Sequence, residues 1–225
     1  MNRFLLIFLP LALFLTGCAT SSKSASDVAM ESHGFFGPWG DKHMPLVVLD
    51  AGHGGFDLGA CHHSTEEKDL ALSTTLILKR FLNEKGYRVV LTRNRDVFIP
   101  LKERAQMANE SKSRVFVSIH YNAAQSKQAK GIEVYYFNKG EKLRIESSKK
   151  LATDVLSKML HHTKAPSRGV KHGNFLVIRE TKMPAILIEG GFITHPDEVK
   201  ALNSREYREE LAQAIAEGVD HYFKS

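Results

Sequence analysis

Three short apolar runs stand out along the chain: Leu46-Val47-Val48-Leu49, Val115-Phe116-Val117-Ser118-Ile119 and Ala185-Ile186-Leu187-Ile188. Each is nearly continuous and rich in β-branched residues, the pattern of a strand buried on both faces. Segments with helical periodicity fall between them. A helix is expected from Glu66, with Ser64 or Thr65 as N-cap, an apolar stripe at Leu70, Thr74, Leu78 and Leu82, and a stop at Gly86. Further helices are expected over Leu101–Ser111, Leu143–His161, a short stretch from Pro196, and Glu206–Phe223. Tyr87–Thr92, Gly131–Phe137 and Asn174–Ile178 read as the remaining strands. Strands alternating with helices predict one α/β domain over residues 45–225: a mainly parallel six-stranded sheet with helices on both faces. About 180 residues are enough to bury a full core.

The N-terminus follows a different pattern. Arg3 precedes an apolar stretch from Phe4 to Leu15, too short to span a bilayer comfortably and proportioned like a secretory signal. It ends in Leu15-Thr16-Gly17-Cys18, which resembles a bacterial lipobox. The expectation is therefore a signal peptide over 1–17, lipidation at Cys18, and a tether and N-terminal extension over 18–44 that opens with a small-polar tract. Such a chain is exported and lipid-anchored to the cell envelope, on the periplasmic face of the inner or outer membrane. Its acyl chains supply the membrane affinity. Loss of Arg3 with the signal leaves the mature chain one unit below the +6 of the full sequence, a mild basic excess suited to acidic surfaces. No arginine-rich stripe with interleaved aromatics points to nucleic acid. With Cys18 lipidated, Cys61 is the only remaining thiol, which excludes an internal disulfide.

The candidate chemistry lies where the apolar runs stop. The first runs through Asp50-Ala51-Gly52 into His53, the second ends at His120 and the third at Glu189. In open α/β sheets ligands bind at the carboxyl ends of the strands. A hydrolytic zinc site takes three ligands from histidine and carboxylate and leaves a fourth position to water. His53 and His120 supply two, and the pair Glu66-Glu67 at the helix start offers the third. Glu189 is then the natural proton-transferring carboxylate. Taken singly, each of these residues has an ordinary explanation as a surface histidine, a helix-start charge or a salt-bridge partner. The other histidines and Cys61 are left unassigned. Asn122, Arg168 and His172 could line the cleft, and of these Asn122 alone is named as a substrate contact. Arg93 and Arg104 are expected in fold-stabilising ion pairs.

The motifs Leu49-Asp50-Ala51-Gly52-His53-Gly54-Gly55, Glu67-Lys68-Asp69, Leu91-Thr92-Arg93, Val117-Ser118-Ile119-His120-Tyr121-Asn122-Ala123 and Glu189-Gly190-Gly191-Phe192 resemble, in order, the zinc-dependent N-acetylmuramoyl-L-alanine amidases. So do Arg104 to Asn109 and Arg168-Gly169-Val170, and the likeness runs from about Pro45 to Phe223. The resemblance implies hydrolysis of the amide joining N-acetylmuramic acid to L-alanine of the peptidoglycan stem peptide. It also implies one zinc ion held by His53, Glu67 and His120, with Glu189 as the catalytic carboxylate. It selects Glu67 over Glu66 because Lys-Asp follows. Ala51 stands where relatives usually have proline, and Gly190 where many have leucine. Some family members carry a plugging helix after the strand matching Ile132–Phe137. Here only Asn138–Glu146 separates that strand from the next helix, which implies an open cleft and no need for an activator protein; the chain is expected to be monomeric. Two other readings fit the same residues: an envelope zinc peptidase cutting within the stem peptide, and a non-catalytic peptidoglycan-binding lipoprotein.

Overall fold

The structure, a computed structural model, describes residues 44–225. The expected signal peptide (1–17), the lipidation site Cys18 and the extension up to residue 43 lie outside the described residues. The domain is built on a six-stranded sheet in the order β4 (Arg88–Leu91), β1 (Leu46–Ala51), β5 (Val115–Asn122), β8 (Ala185–Phe192), β6 (Ile132–Tyr136), β7 (Ser167–His172). Every neighbouring pair is parallel except β6 and β8. A two-rung antiparallel ladder pairs β2 (Cys61–His62) with β3 (Thr65–Glu66) beside the sheet. The α/β class and the mainly parallel sheet agree with the sequence pattern.

Strand alternation sends odd and even positions of β1 and β5 to opposite faces, and the two faces are covered unequally. Val47, Leu49, Val115, Val117 and Ile119, with Ile186 and Ile188 of β8, pack under three long helices: α1 (Glu67–Glu84), α3 (Lys142–Thr163) and α6 (Arg205–Lys224). Leu78 and Leu82, Leu151 and Val155, and Leu211 and Ile215 bring the apolar stripes of those helices onto the sheet, all fully buried. The other face has a smaller core of Val48, Ala108, Phe116, Val177, Ile178, Ala185 and Leu187, under α2 (Leu101–Glu110) and the single turn α4 (Leu176–Arg179). Past that apolar core, α2 contributes the buried Arg104 side chain, which reaches Asp50 at the C-terminal end of β1. The strand positions there turn polar: Asp50, Ser118, His120, Glu189 and Glu133.

Two expectations fail locally. Asn174–Ile178 is not a strand; the sixth strand is Ser167–His172, and Leu176–Arg179 coils into α4. An edge strand has no second neighbour to bury it, so a polar run such as Ser-Arg-Gly-Val-Lys-His serves there. The apolar Val177 and Ile178 fill the smaller core instead. The helix after the first loop also starts later than expected. Thr65 and Glu66 are held in the β2–β3 ladder, and Glu66 occupies the N-cap position without a side-chain cap bond. The Thr65 hydroxyl accepts from Asn203 Nδ2 at 2.8 Å, which ties the loop to α5 (Pro196–Asn203).

Candidate metal centre

β1 delivers His53 through a backbone with φ 60°, a left-handed conformation that costs a non-glycine residue about 1–3 kcal/mol. Two buried arginines hold it there. Arg93 donates to the carbonyls of Ala51 (3.0 Å), Gly52 (2.7 Å) and Lys68 (2.8 Å). Arg104 donates to Ala51 O at 2.6 Å and to His53 O, and pairs with Asp50 at 2.9 Å. The expected ion pair is thus present for Arg104, whereas Arg93 serves backbone carbonyls. The Gly54–Asp57 turn then folds the chain back, and Asp57 Oδ2 sits 3.0 Å from His53 Nδ1.

A carboxylate can only accept, so His53 donates from Nδ1 and turns Nε2 inward. Nε2 lies 3.1 Å from Glu67 Oε1, and His120 Nδ1 lies 2.8 Å from the same oxygen. Glu67 enters on the first turn of α1 and is itself fixed: Oε2 accepts from Ala60 N at 2.8 Å and Oε1 from Tyr121 N at 3.1 Å. One ligating atom from each of His53, Glu67 and His120 lies within 4.8 Å of the others. Small residues make room for this convergence. A Cβ at Gly52 would collide with the His120 ring, and one at Gly59 would come within 2.6 Å of Glu67 Oε2 and His53 Cδ2.

The donor set fits zinc. Donors around a tetrahedral zinc, at about 2.0–2.1 Å each, lie about 3.3 Å from one another. The separations from Glu67 Oε1, 3.1 Å to His53 Nε2 and 2.8 Å to His120 Nδ1, are somewhat shorter than that value. A neutral His53 would point a lone pair at Glu67 Oε1, and a cation between them removes the conflict. Burial disfavours charge on His53, yet Glu67 and then Asp57 raise its pKa. Burial likewise opposes ionisation of Glu67, but hydrogen bonds from His120 and His53 hold its carboxyl well below the usual range.

The same sheet face continues from His120 into a row of side chains. His120 of β5 is in register with Glu189 of β8, and Glu189 with Glu133 of β6. Glu189 Oε2 is buried without a hydrogen-bond partner among the described residues. Burial, then the charges of Glu67 and Glu133, push its carboxyl well above the usual range. Glu133 is only 2 % exposed yet ionised. Burial raises its pKa, but Lys171, Tyr135 and Arg168 outweigh that and lower it.

Other residues singled out in the sequence lie around this centre. Asn122 Nδ2 donates to Glu133 Oε1 at 2.7 Å, beside Glu189. Arg168 Nε pairs with Glu133 Oε2 at 2.8 Å. His172 faces the Tyr136 hydroxyl (2.8 Å) and Asn138, away from the row. Glu66 pairs with Lys68, Cys61 is exposed, and the His195 side chain caps α5. Sequence reading missed Asp57 and Glu133. The first had a local signal, an acid four residues beyond the histidine in a glycine turn. The second was the lone charge in the apolar run Ile132-Glu133-Val134.

The profile of the N-acetylmuramoyl-L-alanine amidases (Amidase_3) matches residues 47–221. Among curated proteins, YqiI of Bacillus subtilis is 38% identical over 177 residues, covering 79% of this chain and 84% of YqiI. The probable cell wall amidase LytH of Staphylococcus epidermidis is 34% identical over 182 residues, and the chain matches 58% of its length. Among solved structures, an N-acetylmuramoyl-L-alanine amidase from Clostridium difficile 630 superposes with a TM-score of 0.77 at 41% identity, over 81% of this chain and 98% of that one. The CwlD amidase from Clostridioides difficile, solved in complex with the GerS lipoprotein, gives 0.75 at 31% identity, over 80% and 98%.

Proposed function

The chain belongs to the N-acetylmuramoyl-L-alanine amidase family, and from that membership we propose that it is a zinc hydrolase of peptidoglycan, cleaving the amide between N-acetylmuramic acid and L-alanine during wall remodelling or daughter-cell separation. The observation that carries this reading is the convergence of His53, Glu67 and His120, one strand away from a buried carboxylate with an unpartnered oxygen.

In this reading His53 Nε2, Glu67 Oε1 and His120 Nδ1 hold one zinc ion. When bound, zinc polarises the scissile carbonyl and makes water acidic enough to ionise near neutral pH. The remaining work falls to the chain. Asp57 fixes the His53 tautomer, and the amides of Ala60 and Tyr121 fix the Glu67 carboxylate. Glu189 takes a proton from the attacking water on its free Oε2 and returns it to the departing L-alanine nitrogen.

Two measurements test the proposal. Full-length protein in detergent, given zinc and defined muropeptides with no partner added, should release peptides with a free L-alanine amino terminus by mass spectrometry. Fragments cut within the stem peptide would replace the amidase reading with the peptidase one, and intact substrate would support a wall-binding role. Only residues 137–141 connect β6 to α3, too few for a plugging helix, so no activator should be needed. The GerS complex of CwlD makes that absence of a partner an informative condition. Zinc at a hundred times its dissociation constant should also stabilise the folded chain by about 2.7 kcal/mol, raising Tm by roughly 5–10 °C for a domain of this size. A chelator should reverse the shift and remove the activity.

The same proposal places the enzyme in the envelope, exported and anchored through Cys18, with residues 45–225 as the catalytic domain acting as a monomer. Among the described residues no helix is long and apolar enough to cross a membrane.

A further inference from the structure

Beyond Glu189 the same sheet face carries a cationic site that the hydrolytic step does not use. Register is broken where β6 meets β7: Ile132 faces Ser167, but Glu133 faces Gly169. Arg168 is the extra residue of this bulge, and bulges re-aim a side chain next to functional sites. Its guanidinium swings over the Phe192 ring, 4.9 Å from the centroid, and onto Glu133 Oε2. Lys171, opposite Tyr135, reaches the same oxygen. Two cations from β7 therefore share one buried carboxylate of β6, leaving a net positive charge around Glu133, the neighbour of Glu189.

The arrangement is both fixed and unsaturated. The Glu133 carboxylate is also held by Asn122 Nδ2 and the Tyr135 hydroxyl, each at 2.7 Å. The two cationic side chains are about one-third exposed (36% and 37%). Arg168 uses Nε on Glu133 and has only a long 3.5 Å contact from Nη1 to Lys130 O. Lys171 spends one of its donors on Glu133. The remaining N–H groups take no other partner among the described residues, and an anionic ligand group would complete them.

The geometry points to Arg168 and Lys171 as a specificity subsite that binds a carboxylate of the substrate, oriented by Glu133 from beneath. This rests on the amidase reading and adds a direction to it. The N-acetylated sugar side of the scissile amide is neutral, whereas the stem peptide carries free carboxylates. The β6–β7 side of Glu189 therefore takes the peptide, and the glycan extends the other way, past His53.

The test uses two soluble muramoyl peptides that differ at one group: the residue after L-alanine bears either a free carboxylate or the corresponding carboxamide. The zinc-loaded full chain should favour the carboxylate about ten-fold in kcat/KM, mainly through KM, as a charged hydrogen bond at a partly exposed site implies. Lys171→Met should bring that ratio toward one, and Lys171→Arg should restore it. Calorimetric binding of the two peptides to the Glu189→Gln chain should show the same preference. Equal cleavage of both peptides by the wild-type chain would overturn the subsite, as would a ratio unchanged in Lys171→Met. Cleavage of neither would overturn the amidase reading and the subsite with it.

Discussion

Replacing Glu189 by glutamine should lower turnover by about 10²–10⁴-fold while zinc binding stays intact and the fold becomes no less stable. The substitution is nearly isosteric and removes a carboxylate whose Oε2 has no protein partner and which burial and two neighbouring acids disfavour as an anion. A residue kept for stability would show the opposite pattern. The buried carboxylates Asp50 and Glu133 are both partnered: Asp50 by Arg104, Thr92 and Ser118, and Glu133 by Lys171, Arg168, Tyr135 and Asn122. Glu189 is the exception, a cost retained where proton transfer needs a free oxygen. Single-turnover rates, zinc content by elemental analysis and thermal melts, on one preparation, separate the possibilities. Near-normal turnover in Glu189→Gln would remove this residue from the chemistry.

The sequence made His53, His120 and Glu189 conspicuous because each ends an apolar run, and the sheet does bring these strand ends together. The same runs concealed an asymmetry. In Val115 to Ile119 the odd positions face the three-helix layer, while the even ones pass from Phe116 to Ser118 to His120 as the strand emerges beyond α2 and α4. Read as continuous apolar character, the segment gave the strand correctly but not which face would stay open. The edge strand Ser167–His172 has too little apolar character to announce itself. Its place depends on Glu133, thirty-odd residues earlier, gathering Arg168 and Lys171. Asp57 illustrates the same limit at shorter range, since its function exists only after the Gly54–Asp57 turn closes. Local periodicity thus specified most of the elements and set His53, His120 and Glu189 at strand ends, whereas the edge strand escaped it and Glu67 was selected over Glu66 only by the family resemblance. The residues that orient them were set by tertiary contacts that no window of sequence contains.

The Arg104→Leu variant should lose about 3–5 kcal/mol of stability at neutral pH, the usual consequence of leaving one member of a buried ion pair uncompensated. Arg104 is 1 % exposed and Asp50 likewise. Burial opposes ionisation of Asp50, but Arg104, then Thr92 and Ser118, hold its carboxyl below the usual carboxylate range. In the wild-type chain that depression favours folding at every pH above the unfolded value and is lost only as pH falls through the folded one. Without the guanidinium, burial prevails and the folded pKa moves above the unfolded value. The sign then reverses, and the variant's stability should rise as pH falls between those two values, because protonation relieves the stranded charge. Wild type and variant should therefore converge in acid, with the largest gap near neutrality, as denaturant midpoints at pH 7 and pH 4 would reveal. Asp50→Asn added to Arg104→Leu should recover part of the loss. A gap that stayed constant with pH would mean that Arg104 acts through the carbonyls of Ala51, His53 and Ile99 alone. Because those carbonyls also set the left-handed turn at His53, the variant should bind zinc more weakly even where it remains folded.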